Sequence, residues 1–208
     1  MKRETTLALG ALILCAAGAS SQTDAMALLA KAAAAYDLGA ANASPFTQIY
    51  TPAGFATAKR ESGNVWVQAP QRLRFDYTAP DTKVFTYDEG EGRFFSPDDK
   101  QLTIRRLSSD ERARLPLVFL EKPEDLARRY AISLEGGKTV LLKPRAAESE
   151  LAWLKLSIGN SGTVETLAYE DTSGNRTEFR FDGWKTEKAR PAGDYRITGP
   201  KGTRVVEN

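Results

Sequence analysis

Apolar residues recur at every second position, with polar residues between them, through most of the chain after residue 45. Successive side chains of a β-strand point to opposite faces, so each such run predicts a strand with one buried face. Turn-forming residues separate the runs, which predicts hairpin connections and an antiparallel sheet. The predicted strands are marked by Val65/Val67, Leu73/Phe75/Tyr77, Phe85/Tyr87, Leu102/Ile104, Leu154/Leu156/Ile158, Leu167/Tyr169 and Phe179/Phe181, and the predicted turns lie at residues 62–64, 89–92, 96–99, 136–137, 160–162 and 173–175.

Three segments depart from this alternation and predict helices. Residues 24–38 are rich in alanine, open with an aspartate suited to an N-cap and stop before a glycine. Ser108 and Glu111 have the spacing of a capping box, and residues 123–130 predict a second short helix beyond the apolar segment 115–120. No repeat and no flexible linker divides the segment after the first helix, so we expect a single domain.

A large sheet with one apolar face must hide that face, and the predicted helices supply only a few turns to cover it. Two arrangements fit the pattern. In one, the helices roof a curved sheet and leave an apolar ligand cavity beneath them. In the other, Trp66, Phe75, Tyr77, Phe85 and Phe179 pack into an ordinary closed core. Periodicity alone does not choose between them.

The N-terminus has the pattern of a secretory signal: Lys2 and Arg3, an uncharged run over residues 7–19, and small residues before Ser20. We therefore predict a signal peptide at residues 1–19 and a single domain at residues 20–208. The run is shorter than the roughly 20 residues of a membrane helix. Lipidation at Cys15 is an alternative, although a leucine precedes it where a lipoprotein signal has a small residue.

Composition excludes several chemistries. The chain has no histidine, which removes serine–histidine and cysteine–histidine nucleophiles and histidine-ligated zinc. Its single cysteine allows no internal disulfide, and cleavage after Ala19 would leave none. A net charge of +2 argues against a nucleic-acid partner. The carboxylates lie mostly in turn-like stretches without the spacing of a calcium site or a glycosidase pair. We predict no catalytic residue, no metal site and no cofactor.

The segments Pro45-Phe46-Thr47-Gln48 and Gly63 to Pro80, read as GNVWVQAPQRLRFDYTAP, resemble the opening of the LolA family of periplasmic lipoprotein carriers. The shared pattern is F-x-Q, then a glycine, a V-W-V strand and a strand ending in Y-x-x-P. The similarity continues in order through residues 87–90, 101–103, 115–120, 141–144, 171–177 and 195–206. It covers nearly the whole chain after the predicted signal peptide.

This resemblance implies a fold and a function. The fold is mainly β, an open and strongly curved antiparallel sheet, or incomplete barrel, covered by a short helical lid. The function is that of a periplasmic chaperone, a monomer that makes and breaks no bond. It accepts acylated lipoproteins from an inner-membrane ABC-type release complex, holds their acyl chains in an apolar cavity and delivers them to an outer-membrane acceptor.

The resemblance also implies which residues line the cavity. Three strands and the lid segment contribute apolar side chains, although each of these could instead be a fixed core residue. The predicted ligand-binding residues are Trp66, Leu73, Phe75, Phe85, Leu117, Phe119 and Leu120.

One position departs from the family pattern. The family has an arginine that holds the lid shut where this chain has Ala69. Arg72 or Arg74 could replace it, but alternation puts both on the face opposite Leu73 and Phe75, where a solvated charged surface is expected.

Three other functions fit parts of the pattern. A periplasmic sensor of lipid or lipoprotein could use the same sheet. An outer-membrane acceptor of the same fold would need lipidation at Cys15. A small hydrolase would have to work without histidine.

Overall fold

The structure, a computed structural model, describes residues 14–69 and 71–207. Three helices and thirteen strands make up the ordered elements of this part of the chain. The helices are α1 (Leu14–Ala34), α2 (Ser109–Ala113) and α3 (Pro123–Arg129). The strands are β1 (Ala41–Thr51), β2 (Lys59–Gln68), β3 (Arg72–Ala79), β4 (Lys83–Asp88), β5 (Glu91–Ser96), β6 (Gln101–Arg106), β7 (Tyr130–Glu135), β8 (Thr139–Pro144), β9 (Leu151–Ile158), β10 (Val164–Asp171), β11 (Arg176–Phe181), β12 (Lys185–Glu187) and β13 (Arg204–Glu207). Single 3₁₀ turns lie at Val118–Leu120 and Ala192–Asp194.

The strands form one sheet in the order β13-β6-β5-β4-β3-β2-β1-β11-β10-β9-β8-β7, with β12 added beside β1. Every neighbouring pair is antiparallel except β13 and β6, which are parallel. The two end strands of the described sheet do not pair with each other, so the sheet is open. The prediction of a mainly β, open, curved antiparallel sheet with a few short helices is confirmed.

The apolar face of the sheet is its concave face. Buried side chains from β1, β2, β3, β4, β8, β9 and β11 form one cluster with residues of α1 and of the segment that carries α2 and α3. Among the α1 side chains that the structure describes, the buried ones are Ala25, Leu29 and Ala32, spaced for one helix face, and Tyr36 is buried just after the helix. The helices therefore cover the concave side.

The first helix differs from its prediction at both ends. It begins at Leu14 instead of Asp24 and stops at Ala34, before the predicted end at residue 38. Asp24 therefore lies inside the helix and not at its N-cap. Residues 1–13 of the predicted signal peptide, and the side chain of Cys15, lie outside the described part. No helix in that part combines the length and apolar character of a membrane crossing.

Two predicted turns are also corrected. Residues 62–64 lie inside β2, where the register with β3 shifts between Ser62 and Gly63. A Cβ on Gly63 would stand 1.9 Å from the carbonyl oxygen of Asp76, so the glycine permits a close approach of two backbones. The turn predicted at residues 89–92 is shorter, because Glu91 already begins β5 and only Glu89 and Gly90 have positive φ.

We predict that Gly63→Ala destabilises the fold by about 1–3 kcal/mol, because the added methyl group forces apart backbones that have no flexible side chain to yield. Gly193→Ala is the matched control, since an added Cβ there meets no atom within 4 Å and its φ is not positive. Urea unfolding of both variants checks this. Equal midpoints for the two variants would contradict the view that Gly63 permits a close approach of two backbones.

Candidate functional site

The connection between β6 and β7 crosses the concave face from one side of the sheet to the other. Residues 107–129 make this crossing, and we refer to them as the lid. The lid contains α2, the 3₁₀ turn Val118–Leu120 and α3. Because its two ends join strands near opposite edges of the sheet, the lid spans the mouth of the half-barrel.

A capping box starts α2, as the sequence predicts. The backbone N–H of Glu111 donates to Ser108 Oγ at 3.2 Å, and the N–H of Ser108 donates to Glu111 Oε2 at 2.9 Å. Glu111 also pairs with Arg105 of β6 at 2.5 Å. Burial opposes ionisation of Glu111, but the hydrogen bonds from Ser108 and the charge of Arg105 outweigh it and lower its pKa. Glu111 therefore ties α2 to β6.

Asp110 ties α2 to the opposite wall, in the loop between β8 and β9. The N–H of Glu150 donates to Asp110 Oδ2 at 2.6 Å, and Ser149 Oγ donates to the same oxygen at 3.2 Å. Arg114, just after α2, reaches the carboxylate of Glu150 at 3.5 Å. One turn and a half of helix thus connects both sides of the sheet. Ala69 lies in the turn after β2 and has no side-chain donor.

A first cavity of about 230 Å³ lies between α2 and the sheet. Its floor is aromatic, from Phe75, Phe85 and Phe179, and its roof includes Leu115 and Pro116 of the lid. The remaining lining residues are Gln48, Tyr77, Arg105, Leu107, Glu111, Arg114 and Tyr169.

A second cavity of about 600 Å³ lies between α2 and α3, above the ends of β3 and β4. Leu115, Leu117 and Leu120 supply its apolar surface, and Leu115 also lines the first cavity. Its rim is charged. Glu121 at this rim pairs with Arg129, but burial outweighs that cation and raises the pKa of the carboxyl.

A third cavity, of about 280 Å³, extends the first toward the β5–β6 edge. It shares Phe85, Arg105 and Leu107 with the first cavity and adds Phe94, a side chain that is exposed. The three cavities thus adjoin one another along the underside of the lid, and one end is open at an exposed phenylalanine.

Aromatic side chains fill the rest of the concave face. Tyr36, just after α1, stacks on Phe119 with 4.8 Å between ring centroids, and Phe119 meets Trp184 at 5.6 Å. Phe75 lies 4.8 Å from Phe46 and 5.4 Å from Phe179. The concave side therefore holds cavities beneath α2 and α3 and, next to the end of α1, a packed aromatic cluster of Tyr36, Phe119 and Trp184.

The structure separates the predicted lining residues into groups. Phe75 and Phe85 line the first cavity, and Leu117 and Leu120 line the second. Leu73 is 0% exposed and Phe119 is 1% exposed, and both belong to the buried cluster without lining a cavity. Their positions are those of core residues next to the cavities.

Trp66 is a correction to the prediction. Val65 and Val67 face the concave core, so the alternation of β2 places Trp66 on the outer face. There its indole Nε1 donates to Glu187 at 3.0 Å, and the guanidinium of Arg190 lies 4.5 Å from its ring. The same alternation, applied to Val65, could have excluded Trp66 from the cavity.

Arg72 and Arg74, on the outer face of β3, make more contacts within the protein than solvated surface arginines would. Arg74 bonds Asp76 at 2.7 Å and donates to the carbonyl of Asp194 at 2.8 Å. Arg72 pairs with the buried Asp88 at 3.2 Å. Tyr195 is fully buried beside them, and burial raises its pKa to about 12. These contacts fasten the C-terminal segment to the outer face and do not involve the lid.

Sequence reasoning missed the charged residues of the cavity. Arg105 and Arg114 stand on either side of the predicted capping box, and their approach to the cavity depends on where the lid crosses the sheet. The capping box was the available signal, because it places Glu111 in the first turn facing the preceding strand. Within the described residues, no three carboxylate or cysteine groups gather as a metal site would require.

The fold and the cavities define an open half-barrel with a helical lid over apolar space. The sequence pattern of the family described as outer membrane lipoprotein carrier protein LolA matches residues 40–198. The chain belongs to the LolA family.

Relatives in this family cover most of the chain. An outer-membrane lipoprotein carrier protein of Xanthomonas campestris pv. campestris is 30% identical over 167 residues, 77% of this chain and 79% of the relative. One from Chromohalobacter salexigens is 24% identical over 96% of this chain and 95% of the relative. A crystal structure of an uncharacterized conserved protein from Thermus thermophilus superposes with a TM-score of 0.53 at 13% identity, over 88% of this chain and 99% of that one. That likeness concerns the fold alone.

We predict that Asp110→Ala frees α2 from the β8–β9 loop, because it removes two hydrogen bonds to a carboxylate. A hydrogen bond at a partly exposed position contributes about 0.5–1.5 kcal/mol, so loss of the two should accelerate amide exchange in residues 108–121 about tenfold or more. Asp125→Ala, which removes an exposed pair with Arg128 on α3, is the control. Unchanged exchange over α2 in the Asp110 variant would show that the loop contact does not hold the lid.

The lowered pKa of Glu111 makes the start of α2 sensitive to acid. A carboxyl whose folded pKa is depressed stabilises the fold above its ordinary value of 4.5 and loses that contribution as the pH falls through the folded value. We expect exchange of the α2 amides, corrected for intrinsic rates, to accelerate as the pH falls from about 5 through values below 4.5. Glu111→Gln should exchange faster at the higher pH and show a smaller acceleration. An identical pH response in both proteins would refute this role.

Proposed function

We propose that this protein is a periplasmic carrier that holds the acyl chains of lipoproteins beneath its lid and moves them from the inner to the outer membrane. The observation that carries the proposal is the series of adjoining cavities under residues 107–129, floored by Phe75, Phe85 and Phe179. Membership of the LolA family and relatives named as lipoprotein carriers support the class of cargo.

The energetics explain why such cargo needs a carrier. Exposing a buried methylene to water costs about 0.8 kcal/mol, so three chains of about 16 carbons cost tens of kcal/mol. That exceeds the range of ordinary non-covalent affinities, and free diffusion between membranes is therefore negligible. A carrier must shield the chains and still release them, which favours small adaptable cavities over one tight pocket. No bond is made or broken in this task.

The volumes indicate that the lid moves. A methylene occupies roughly the volume of a water molecule in the liquid, about 30 Å³, so a chain of about 16 carbons needs about 480 Å³. The first cavity, at about 230 Å³, admits about half of that. The second, at about 600 Å³, is large enough for one chain. Loading of a triacylated lipoprotein therefore requires α2 and α3 to rise from the sheet.

The same proposal assigns roles to the N-terminal segment, to the rest of the chain and to the partner complexes. Residues 1–19 act as a secretory signal and residues 20–208 form the carrier domain. Cleavage after Ala19 keeps the buried α1 residues Ala25, Leu29 and Ala32 in the mature chain. An ABC-type release complex of the inner membrane supplies the cargo, and an outer-membrane acceptor receives it from the monomeric carrier.

We predict that Phe85→Glu impairs uptake of lipoprotein by about tenfold or more, because it places a charge where acyl chains lie. Phe85 is half-buried and lines two cavities, whereas a charge at the fully buried Leu73 would unfold the domain. The measurement is release of a labelled lipoprotein from spheroplasts into the medium by added carrier.

Phe55→Glu is the matched control, since Phe55 is 66% exposed in the loop after β1 and lines none of the three cavities. Circular dichroism and the unfolding midpoint show whether each variant is folded. Normal release by a folded Phe85 variant would show that the cavity does not take part in the proposed function.

A further inference from the structure

The first cavity has an apolar floor and an excess of positive charge at its rim. Two arginines, Arg105 and Arg114, and one carboxylate, Glu111, line it. Arg105 is paired with Glu111 at 2.5 Å, so these two charges largely cancel. The cation that remains is Arg114.

The neutral polar groups of the lining are satisfied within the protein. The hydroxyl of Tyr77 donates to Gln48 Oε1 at 2.6 Å. Tyr169 is hydrogen-bonded to Thr177, and burial is the main cause that raises the pKa of its phenol. Neither tyrosine therefore ionises near neutral pH, and neither supplies a negative charge for Arg114.

Arg114 keeps an unused donor. Its Nη2 lies 3.5 Å from Glu150, a side chain that is 75% exposed, and its guanidinium lies 5.8 Å from the ring of Tyr169. Its Nε, by contrast, is buried and has no hydrogen-bond acceptor in the protein. Among the described residues, the only other buried side-chain polar atom in this state is Thr86 Oγ1, on a residue that lines none of the three cavities.

A buried N–H without an acceptor is uncommon in folded proteins, and it is often explained by a group that binds there. Guanidinium N–H groups donate well to carbonyl, carboxylate and phosphate oxygens. The aromatic floor beside Arg114 selects a ligand with an alkyl chain. The combination fits an acyl group, which carries an oxygen acceptor at the head of an alkyl chain.

We propose that, when the lid rises to admit a chain, Arg114 Nε donates a hydrogen bond to the head oxygen of an acyl chain that lies on Phe75, Phe85 and Phe179. This inference rests on the proposed function and adds to it a fixed position for the chain head. The acceptor is the ester or amide carbonyl of an acylated lipoprotein or the carboxylate of a free fatty acid. Arg114 thereby distinguishes acyl chains from plain alkyl chains.

The test compares three ligands with the same chain length. Methyl palmitate offers an ester carbonyl, palmitate a carboxylate, and hexadecyl methyl ether only a weak ether acceptor. Each displaces an environment-sensitive fluorescent fatty-chain probe from the carrier. We expect the ester to bind about tenfold tighter than the ether, as a hydrogen bond from a charged donor would give.

Arg114→Met should reduce the ester-to-ether ratio to about twofold or less, because it leaves the ether contacts in place. Arg114→Lys should behave similarly, since lysine keeps the charge but lacks a donor at the Nε position. Arg128→Met, a surface change on α3, is the matched control and should keep the full ratio.

The variant Glu150→Gln distinguishes two possible roles of Arg114, contact with the ligand and fastening of the lid. It removes the ion pair of Arg114 while the Nε stays, so the ester preference should persist. If this variant loses the preference as completely as Arg114→Met, Arg114 acts by holding the lid, and the inference is overturned.

The three ligands also distinguish lipoprotein acyl groups from free fatty acids, and the role of Arg114 from the proposed carrier function. Preference for both ester and palmitate supports the contact for lipoprotein acyl groups, whereas preference for palmitate alone supports it for free fatty acids only. Equal binding of all three ligands overturns the role of Arg114 and leaves the carrier function standing. Displacement by none of them overturns the acyl-binding cavity, and the proposed function with it.

Discussion

The structure depends on the need to cover the apolar concave face of a sheet that does not close. A closed barrel hides its interior by strand pairing alone, but here β13 and β7 end the described sheet without meeting. The helices must do the covering. Next to the end of α1, Tyr36, Phe119 and Trp184 pack together, and beneath α2 and α3 the lid leaves cavities. The same molecule is therefore rigid on one side of its concave face and loosely filled on the other.

Few contacts hold the loosely filled side shut. The helix α2 is short, and its attachment to the two walls consists of Glu111 with Arg105 and Asp110 with the β8–β9 loop. These are polar contacts at half-exposed positions, which are individually weak. Weak fastening fits the proposed function, in which the cavity opens to receive acyl chains and opens again to release them. Apolar packing of Leu115 and Leu117 then favours closure when no cargo is bound.

Much of this was predictable from sequence, and the failures have physical causes. Alternation and the capping box predicted most strands and the start of α2, because both signals are local. The prediction placed Trp66 in the cavity because the family pattern was given more weight than the alternation of side chains along its own strand. Gly63 was mistaken for a turn because glycine also permits close backbone approach. The partners of Arg114 and Asp110 depend on where the lid crosses the sheet, which no local pattern encodes.

The central claim is that the lid leaves the sheet when acyl chains bind. The most direct measurement is the distance between spin labels at two exposed positions, Ser109 on α2 and Glu148 in the β8–β9 loop, in a chain with Cys15 replaced by serine. Adding a triacylated peptide should shift the distribution to longer distances, while the unacylated peptide leaves it unchanged. A distribution that stays the same with acylated peptide bound would contradict the account.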